Sequence, residues 1–542
     1  MPISTRIYLA IQLLALESGA VIEHSHVVWQ LQLARWLGVV ASLGAITNTL
    51  LALFARRIHR WVMRRRSGHA VVIGAGEAGT QLAKDLLLDG YRVTIIDSIE
   101  ENLAIKTLVE LGVDEIIGDA SEQATLQAAA VGRAEYVVIV AGADVTNFEI
   151  MSAVQELCSK SDRSANPIKC YLHLVDDRLR QLAEKAFSDK QTLSFLQLTT
   201  FNRFANSARI LLAKAPLDRV KIVTGDPRQV HLVIVDLGML GESLLKAALA
   251  IGHYANNVPL AITVIDQSAD EKENSLLIRI PEMHACGTIR FMRGTLEQKT
   301  VRAALQNILS DRNQLVTVAI CRKNPQASLT GCMDLIPLLT NFNNTVFVNL
   351  ADDQHEETLQ RAFQSANSRV IPFGSSRESV SSGAVIRKHL DKLAEKIHIK
   401  YCEKRQSEGD SEQDYPAMRA WEILDGDLRD ANRQQADYIT VKLRAIGYQA
   451  VELKEDIKPE EFHPSRAEIE ALAIAEHSRW CANRRLAGWR YGAARDNVAR
   501  LHPNLVDWEK LDEETRDYDR EPLRNLADML AAVDYCIVKD EG

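Results

Sequence analysis

The chain has 542 residues, of which 46% are apolar and 25% charged, and its net charge is −8. Those proportions describe a multidomain globular protein and exclude both a multispanning transporter and a disordered chain. The negative balance excludes a global basic field for nucleic acid. The eight cysteines are scattered with no Cys-x-x-Cys pair, which predicts reduced thiols without a disulfide frame. No His/Cys cluster shows ligand spacing, so no metal is expected.

The first stretch, residues 7–22, is amphipathic and broken by Glu17, as in an interfacial or re-entrant piece or the remnant of a span. Residues 36–55 then run for 20 positions without a charge, and a helix of that length covers about 30 Å, the thickness of a bilayer core. Six arginines follow within residues 56–66, and basic residues flank spans on the cytoplasmic side. The expectation is a transmembrane helix over about 36–55 within a membrane segment and basic linker, 1–66. It places the protein at the inner membrane with the bulk of the chain cytoplasmic. The alternative is a buried helix of a soluble domain. The pairs Gly38/Ser42 and Ala41/Ala45 predict close helix–helix approach.

Residues 70–73 (AVVI) predict a buried strand, followed by Gly74-Ala75-Gly76-Glu77-Ala78-Gly79, a helix with Leu82, Leu86 and Leu87, and a second strand ending at Asp97. Gly74 suits the tight turn, Gly76 lets backbone amides reach a pyrophosphate, and Gly79 lets the helix pack on the strand. Glu77 opens the helix. The helix N-terminus offers unpaired N–H groups and partial positive charge to an anion. Asp97, 18 residues past Gly79, suits a ribose 2′-OH and repels a 2′-phosphate, which favours NAD(H) or an adenine nucleotide over NADP.

Further on come Ile116-Ile117-Gly118-Asp119, the strand-like run Tyr136–Val140, and then Asp144 and Asn147. This order resembles the RCK/KTN family, the TrkA-N-type regulators of K+ conductance. The resemblance implies a Rossmann-like domain over 67–222 with a crossover helix near Phe201–Leu212. It implies a nucleotide site on Gly74, Gly76, Gly79, Asp97, Asp119 and Asn147, with Glu77 beside them. It also implies a homo-oligomer, dimer or ring.

A second run, 230–237 (VHLVIVDL), leads into Gly238 and Gly241, with Asp236 where the first glycine should stand. Residues 260–265 lead to Asp266, and Gly294 and residues 316–321 echo the third and fourth strands. This is an internal repeat, a degenerate Rossmann domain over 223–375. An aspartate in the turn puts negative charge where a pyrophosphate would lie and lacks glycine's freedom, so the second copy is structural or takes another ligand.

Residues 376–460 are expected as a helical linker region and 461–542 as a further module. In the latter, Ala473, His477, Trp480 and Arg484 share one helix face, and three of the seven tryptophans fall within 480–508. The ordered elements H-xx-W, GW-x-YG, R-D, HP-x-L and L-xE-xxxxxDR resemble the ryanodine-receptor repeat (RyR) domain and imply a small, mostly helical module. Its aromatic and basic residues predict a ligand pocket on His477, Trp480, Arg485, Trp489, Tyr491 and Arg495. The alternative is that the aromatics fill a small core.

The fold class is thus α/β: a transmembrane helix, two tandem Rossmann-like (RCK) domains with parallel sheets, and a C-terminal RyR-like domain. The function implied is a membrane-anchored nucleotide sensor coupled to K+ transport or channel gating. No TVGYG-like filter and no second clear span frame a pore, so a pore lies in a separate subunit, is formed differently, or does not exist. One alternative is an effector activated by a nucleotide second messenger through the RyR-like domain. Another is an NAD-dependent oxidoreductase, disfavoured because no poised acid/base follows the first turn. His173 and His231 fall in strand-like runs that suit packing, so no catalytic residue is expected.

Overall fold

The structure, a computed structural model, describes residues 29–159, 166–187, 190–339, 343–350, 361, 369–412, 415–454 and 457–540. The segment 7–22 lies outside the described residues.

The apolar run at 36–55 folds as the middle of a longer helix, α1 (Trp29–Arg64). Among the described residues no helix is long and apolar enough to cross a membrane. The transmembrane span expected over 36–55 is therefore overturned, and the membrane placement drawn from it rests on no described segment. Nor is the basic end a free tether. Met63 is buried, and Arg66 pairs with Asp114 at the edge of the following sheet.

Two six-stranded sheets form the centre of the molecule. The first comprises β1 (Ala70–Ile73), β2 (Val93–Asp97), β3 (Asp114–Ile117), β4 (Tyr136–Ile139), β5 (Ile168–His173) and β6 (Leu196–Phe201). Its order is β3-β2-β1-β4-β5-β6, with every pairing parallel. Helices α2 (Glu77–Leu88), α3 (Leu103–Glu110), α4 (Gln123–Ala128), α5 (Asp144–Cys158) and α6 (Asp177–Ala186) flank it, and α7 (Arg203–Lys214) crosses over to pack on the second fold. Strands covered on both faces read as continuous apolar runs; AVVI and YVVI are wholly buried.

The second sheet repeats the plan with β7 (Gln229–Val235), β8 (Ala261–Asp266), β9 (Thr288–Arg293), β10 (Gln314–Ile320), β11 (Thr345–Asn349) and β12 (Val370–Phe373). Its order, β12-β11-β10-β7-β8-β9, is the same winding read from the other edge. Helix α8 (Met239–Ile251) follows β7 as α2 follows β1. In both sheets the winding reverses between the first and fourth strands, where an open crevice forms at the strands' C-terminal ends.

Residues 376–460 are not a linker. Val380 and Val385 join the core of the first sheet, and the Ser382 amide and hydroxyl donate to Asp85 (2.9 Å) and Asp89 (2.7 Å) of α2 and its C-cap. The remainder, including α9 (Lys392–Ser407), α10 (Gly426–Ala445) and β13 (Tyr448–Glu452), forms half of the C-terminal module. The other half is α11 (Arg466–Leu486), α12 (Glu513–Arg524), α13 (Leu526–Ala531) and β14 (Tyr535–Lys539), the last antiparallel to β13. Trp421, Ile439 and Leu443 share one core with Leu526, Leu530 and Ile537. A further cluster joins Leu211 of α7, Leu244 of α8, Tyr438 of α10 and Ala475 of α11. The crossover helix, second fold and C-terminal module thus pack as one body.

Candidate functional site

The first glycine turn sits at the reversal point between β1 and β4. Gly74 has φ +102°, and a Cβ there would stand 2.7 Å from the Val140 carbonyl oxygen. Its amide donates to the Ile96 carbonyl at 2.8 Å, which pins the turn to β2. A Cβ on Gly79 would lie 1.8 Å from the Gly74 carbonyl oxygen, so α2 approaches the turn as closely as backbone allows. Gly76 caps α2, no side chain bonds the helix N-terminus, and the space where a Gly76 side chain would go is open. Free amides at a positive helix end beside open space form an anion site.

The other expected residues divide. Asp97 Oδ2 accepts from the Ala75 amide (2.6 Å) and Oδ1 from the Ile99 amide (2.8 Å). Each oxygen retains a lone pair, so Asp97 shapes the turn and keeps acceptor capacity for a hydroxyl. Asn102 braces the same turn through the Ala75 carbonyl at 3.2 Å. Glu77 pairs with Arg203 of α7 (3.3 Å), which puts a cation beside the helix end. Asp119 is solvent-facing, and its carboxyl is held below the usual range by hydrogen bonds from the Ser121 amide and hydroxyl. Asn147 is fully buried. It accepts from the Ala141 amide (2.7 Å) and donates to the His173 carbonyl (3.0 Å), so it ties β4 to β5 behind the crevice.

His173 packs between Phe201 and Phe204, and burial pushes its pKa down to about 4. His231 bonds to Gln314 (2.6 Å) and Thr263 (2.9 Å) inside the second sheet.

In the second copy Asp236 takes the left-handed conformation of Gly74, with φ +69°, and Asp266 accepts from the Leu237 amide (2.8 Å) as Asp97 does from Ala75. The backbone plan survives the loss of glycine. The chemistry differs, because Lys272 donates to Asp266 at 2.5 Å and occupies the acid that would meet a ribose.

In the C-terminal module the expected ligand residues are also divided. His477 is buried, its ring stacked on Trp480 (5.9 Å) and against Trp508 (5.8 Å). Its Nδ1 lies 3.3 Å from Asp519 and its Nε2 2.8 Å from the Val506 carbonyl. Arg485 is spent on Glu282 (3.2 Å) and the Ala285 carbonyl (3.3 Å), which fastens the module to the second fold. Trp480 and Trp489 flank Arg484, and Tyr491 and Arg495 are exposed.

Burial opposes charge on His477, but hydrogen bonding to Asp519 and Cys481 outweighs it and lifts the pKa to about 10. A raised folded-state value stabilises fully below the ordinary 6.5 and is lost as pH rises toward about 10. Across that window the melting temperature of the wild type should fall more than that of His477→Phe; parallel curves would refute the pairing.

A cavity of about 1250 Å³ lies between the folds, lined by Gly142 and Asp144, by Leu237 and Gly238, and by Arg433 and Arg500. None of the expected site residues of the first turn or of the C-terminal module lines it.

The order of the first sheet and its glycine turn define a Rossmann-type domain. The TrkA-N domain model matches residues 70–182, and the RyR domain model matches residues 463–539. The chain carries a TrkA-N (RCK) domain and, at its C-terminus, a RyR domain. It is 34% identical over 88 residues to a Trk system potassium uptake protein TrkA homolog of Methanothermobacter thermautotrophicus. That match spans 16% of this chain and only 40% of the relative's length. Similar solved structures include GsuK bound to ADP (12% identity, 70% of this chain and 88% of that one, TM-score 0.40). The GsuK channel bound to NAD is similar at 12% identity over 73% and 79%, with TM-score 0.39. The NAD(P)-binding domain of an exopolyphosphatase-related protein from Archaeoglobus fulgidus is 23% identical over 22% and 82%, TM-score 0.19. Likeness at these scores determines neither ligand nor assembly.

Proposed function

We propose that this chain is a nucleotide-sensing regulator of K+ transport that binds NAD(H) or an adenine nucleotide at its first Rossmann fold. The observation that carries the first half is the uncapped N-terminus of α2 behind Gly74, open at Gly76, with Asp97 at the end of β2. The transport half is supported by the TrkA-N match and the likeness to a TrkA homolog. The chain acts as a homo-oligomer on a separate pore subunit and carries out no hydride transfer itself. Coupling requires that the nucleotide prefer one conformation. The crossover helix α7 is suited to transmit that preference, because Arg203 reaches Glu77 at the turn while Arg209 reaches Asp437 (2.7 Å) and Asp391 (3.0 Å) of the C-terminal module.

Titration of the full chain with NAD+, NADH, ADP, ATP and NADP+ tests the first half. NADP+ should bind at least about tenfold more weakly than NAD+, since Asp97 opposes a 2′-phosphate. Gly76→Asp places a carboxylate at the anion site and should weaken binding about a hundredfold; unchanged affinity refutes the site. Cells carrying Gly76→Asp in place of the native chain should differ from wild type in K+ uptake. Equal uptake, with binding lost, refutes the transport half alone.

A further inference from the structure

Among the described residues, the last turn of α11 holds a cation with no carboxylate in ion-pair contact. Gly488 (φ +81°) ends the helix, and the Trp489 amide returns to the Arg484 carbonyl at 2.9 Å. This folds Trp489 back, so the Arg484 guanidinium lies 5.7 Å from the ring centre of Trp480 and 5.6 Å from that of Trp489. His502 closes the cluster at 5.0 Å from Trp480 and 6.2 Å from Trp489. Neighbouring arginines are neutralised: Arg479 by Glu476, Arg485 by Glu282 and Arg500 by Asp427. Among the described residues Arg484 makes no ion pair, and its Nε is buried without a hydrogen-bond partner.

An aromatic core needs no charge there; Leu or Met would fill the slot without the cost of desolvating a cation. The cation–π contacts offset only part of that cost. The surroundings add positive charge and leave a flat ring free. Arg495 is exposed and, among the described residues, bonded to Asn497 (3.0 Å). Tyr491 is 58% exposed and sits opposite His502 in a two-residue strand pair. Burial, Arg495 and Arg479 pull the Arg484 pKa down to about 10 against the opposing charge of Asp427, and burial with Arg495 and Arg484 holds His502 near 4.

We infer that Arg484, with Arg495, forms the phosphate end of a second nucleotide site on the C-terminal module, where Trp489 and Tyr491 offer ring faces to the base. A guanidinium fork suits a phosphate, and aromatic faces suit a heterocycle. The site differs from the pocket drawn from sequence, because Arg485 is engaged elsewhere and Arg484 replaces it.

The test uses the full chain with Gly76→Asp as background, so binding at the first turn does not contribute. It stands whether or not the first turn binds nucleotide, because the comparison is between arginine variants within one background. Titration calorimetry with AMP should show one site per chain, with inorganic phosphate and adenosine each weaker. Arg484→Gln should weaken AMP by about tenfold or more, and Arg495→Gln by a smaller factor. Arg484→Lys, which keeps the charge and loses the fork, should recover only part. If Arg484→Gln does not fold, Arg495→Gln and Tyr491→Ala, both at exposed positions, decide. The assignment is overturned if AMP, GMP and UMP all fail to bind, if the arginine variants bind AMP like the background, or if phosphate alone binds as tightly as AMP.

Discussion

Gly79→Ala is expected to abolish nucleotide binding at the first turn and to destabilise the fold by about 3 kcal/mol or more. The added Cβ would sit 1.8 Å from the Gly74 carbonyl oxygen and 3.1 Å from a methyl of Val140. That carbonyl cannot rotate away, because Gly74 is held by its bond to Ile96 and by the backbone of Val140 and Ala141. Helix α2 must therefore lift from β1, which moves its N-terminal amides away from the anion position. The same change in the second copy is milder. At Gly241 the new Cβ would stand 2.7 Å from the Asp236 carbonyl oxygen, and about 1–2 kcal/mol is expected with affinity at the first turn unchanged. Urea unfolding and nucleotide titration of both variants check this. A Gly79→Ala protein of wild-type stability would show that the turn is looser than described.

Glu476→Gln should cost about 3–5 kcal/mol, because removing one partner of a buried ion pair leaves unpaired charge inside. Glu476 takes Lys442 of α10 at 3.0 Å and Arg479 at 2.8 Å, with all three side chains buried. Arg479 already has one terminal nitrogen without a partner, so the network has no reserve. Replacing the set together, Lys442→Met with Glu476→Leu and Arg479→Met, should be less damaging than Glu476→Gln alone; the reverse order would overturn the argument. Because α11 also carries Arg485 to Glu282, Glu476→Gln should expose the junction with the second fold to limited proteolysis. Burial opposes charge on Glu476, but Arg479 and Lys442 prevail and hold its pKa down to about 2. Its contribution is therefore present above the ordinary 4.5 and lost as pH falls toward 2. The pH dependence below 4.5 should be shallower in the triple variant.

Much of the centre was legible because its signals are local. Strands such as AVVI and YVVI are apolar on both faces, and the glycines of the first turn answer to contacts within a few residues. The repeat was equally visible through Asp266, Gly238 and Gly241. What misled at the N-terminus was a charge-free run read by its ends; among the described residues no helix is long and apolar enough to cross a membrane. In the C-terminal module sequence does not show that Arg485 is engaged with Glu282 and His477 with Asp519. Arg485 and Arg484 are adjacent in sequence, and only their neighbours in space tell them apart.

By itself, then, the sequence determined the two Rossmann folds, the first glycine turn and the C-terminal module, because glycine turns and apolar strands act over short spans of chain. Only the tertiary structure decided which charged residues are free. Glu476 is committed to Lys442 and Arg479, Asp266 to Lys272 and Arg485 to Glu282, while Arg484 is left facing two indole rings. Two of these pairs, Lys442–Glu476 and Arg485–Glu282, join separate elements, and the desolvation that makes the pairs matter exists only once the elements have packed.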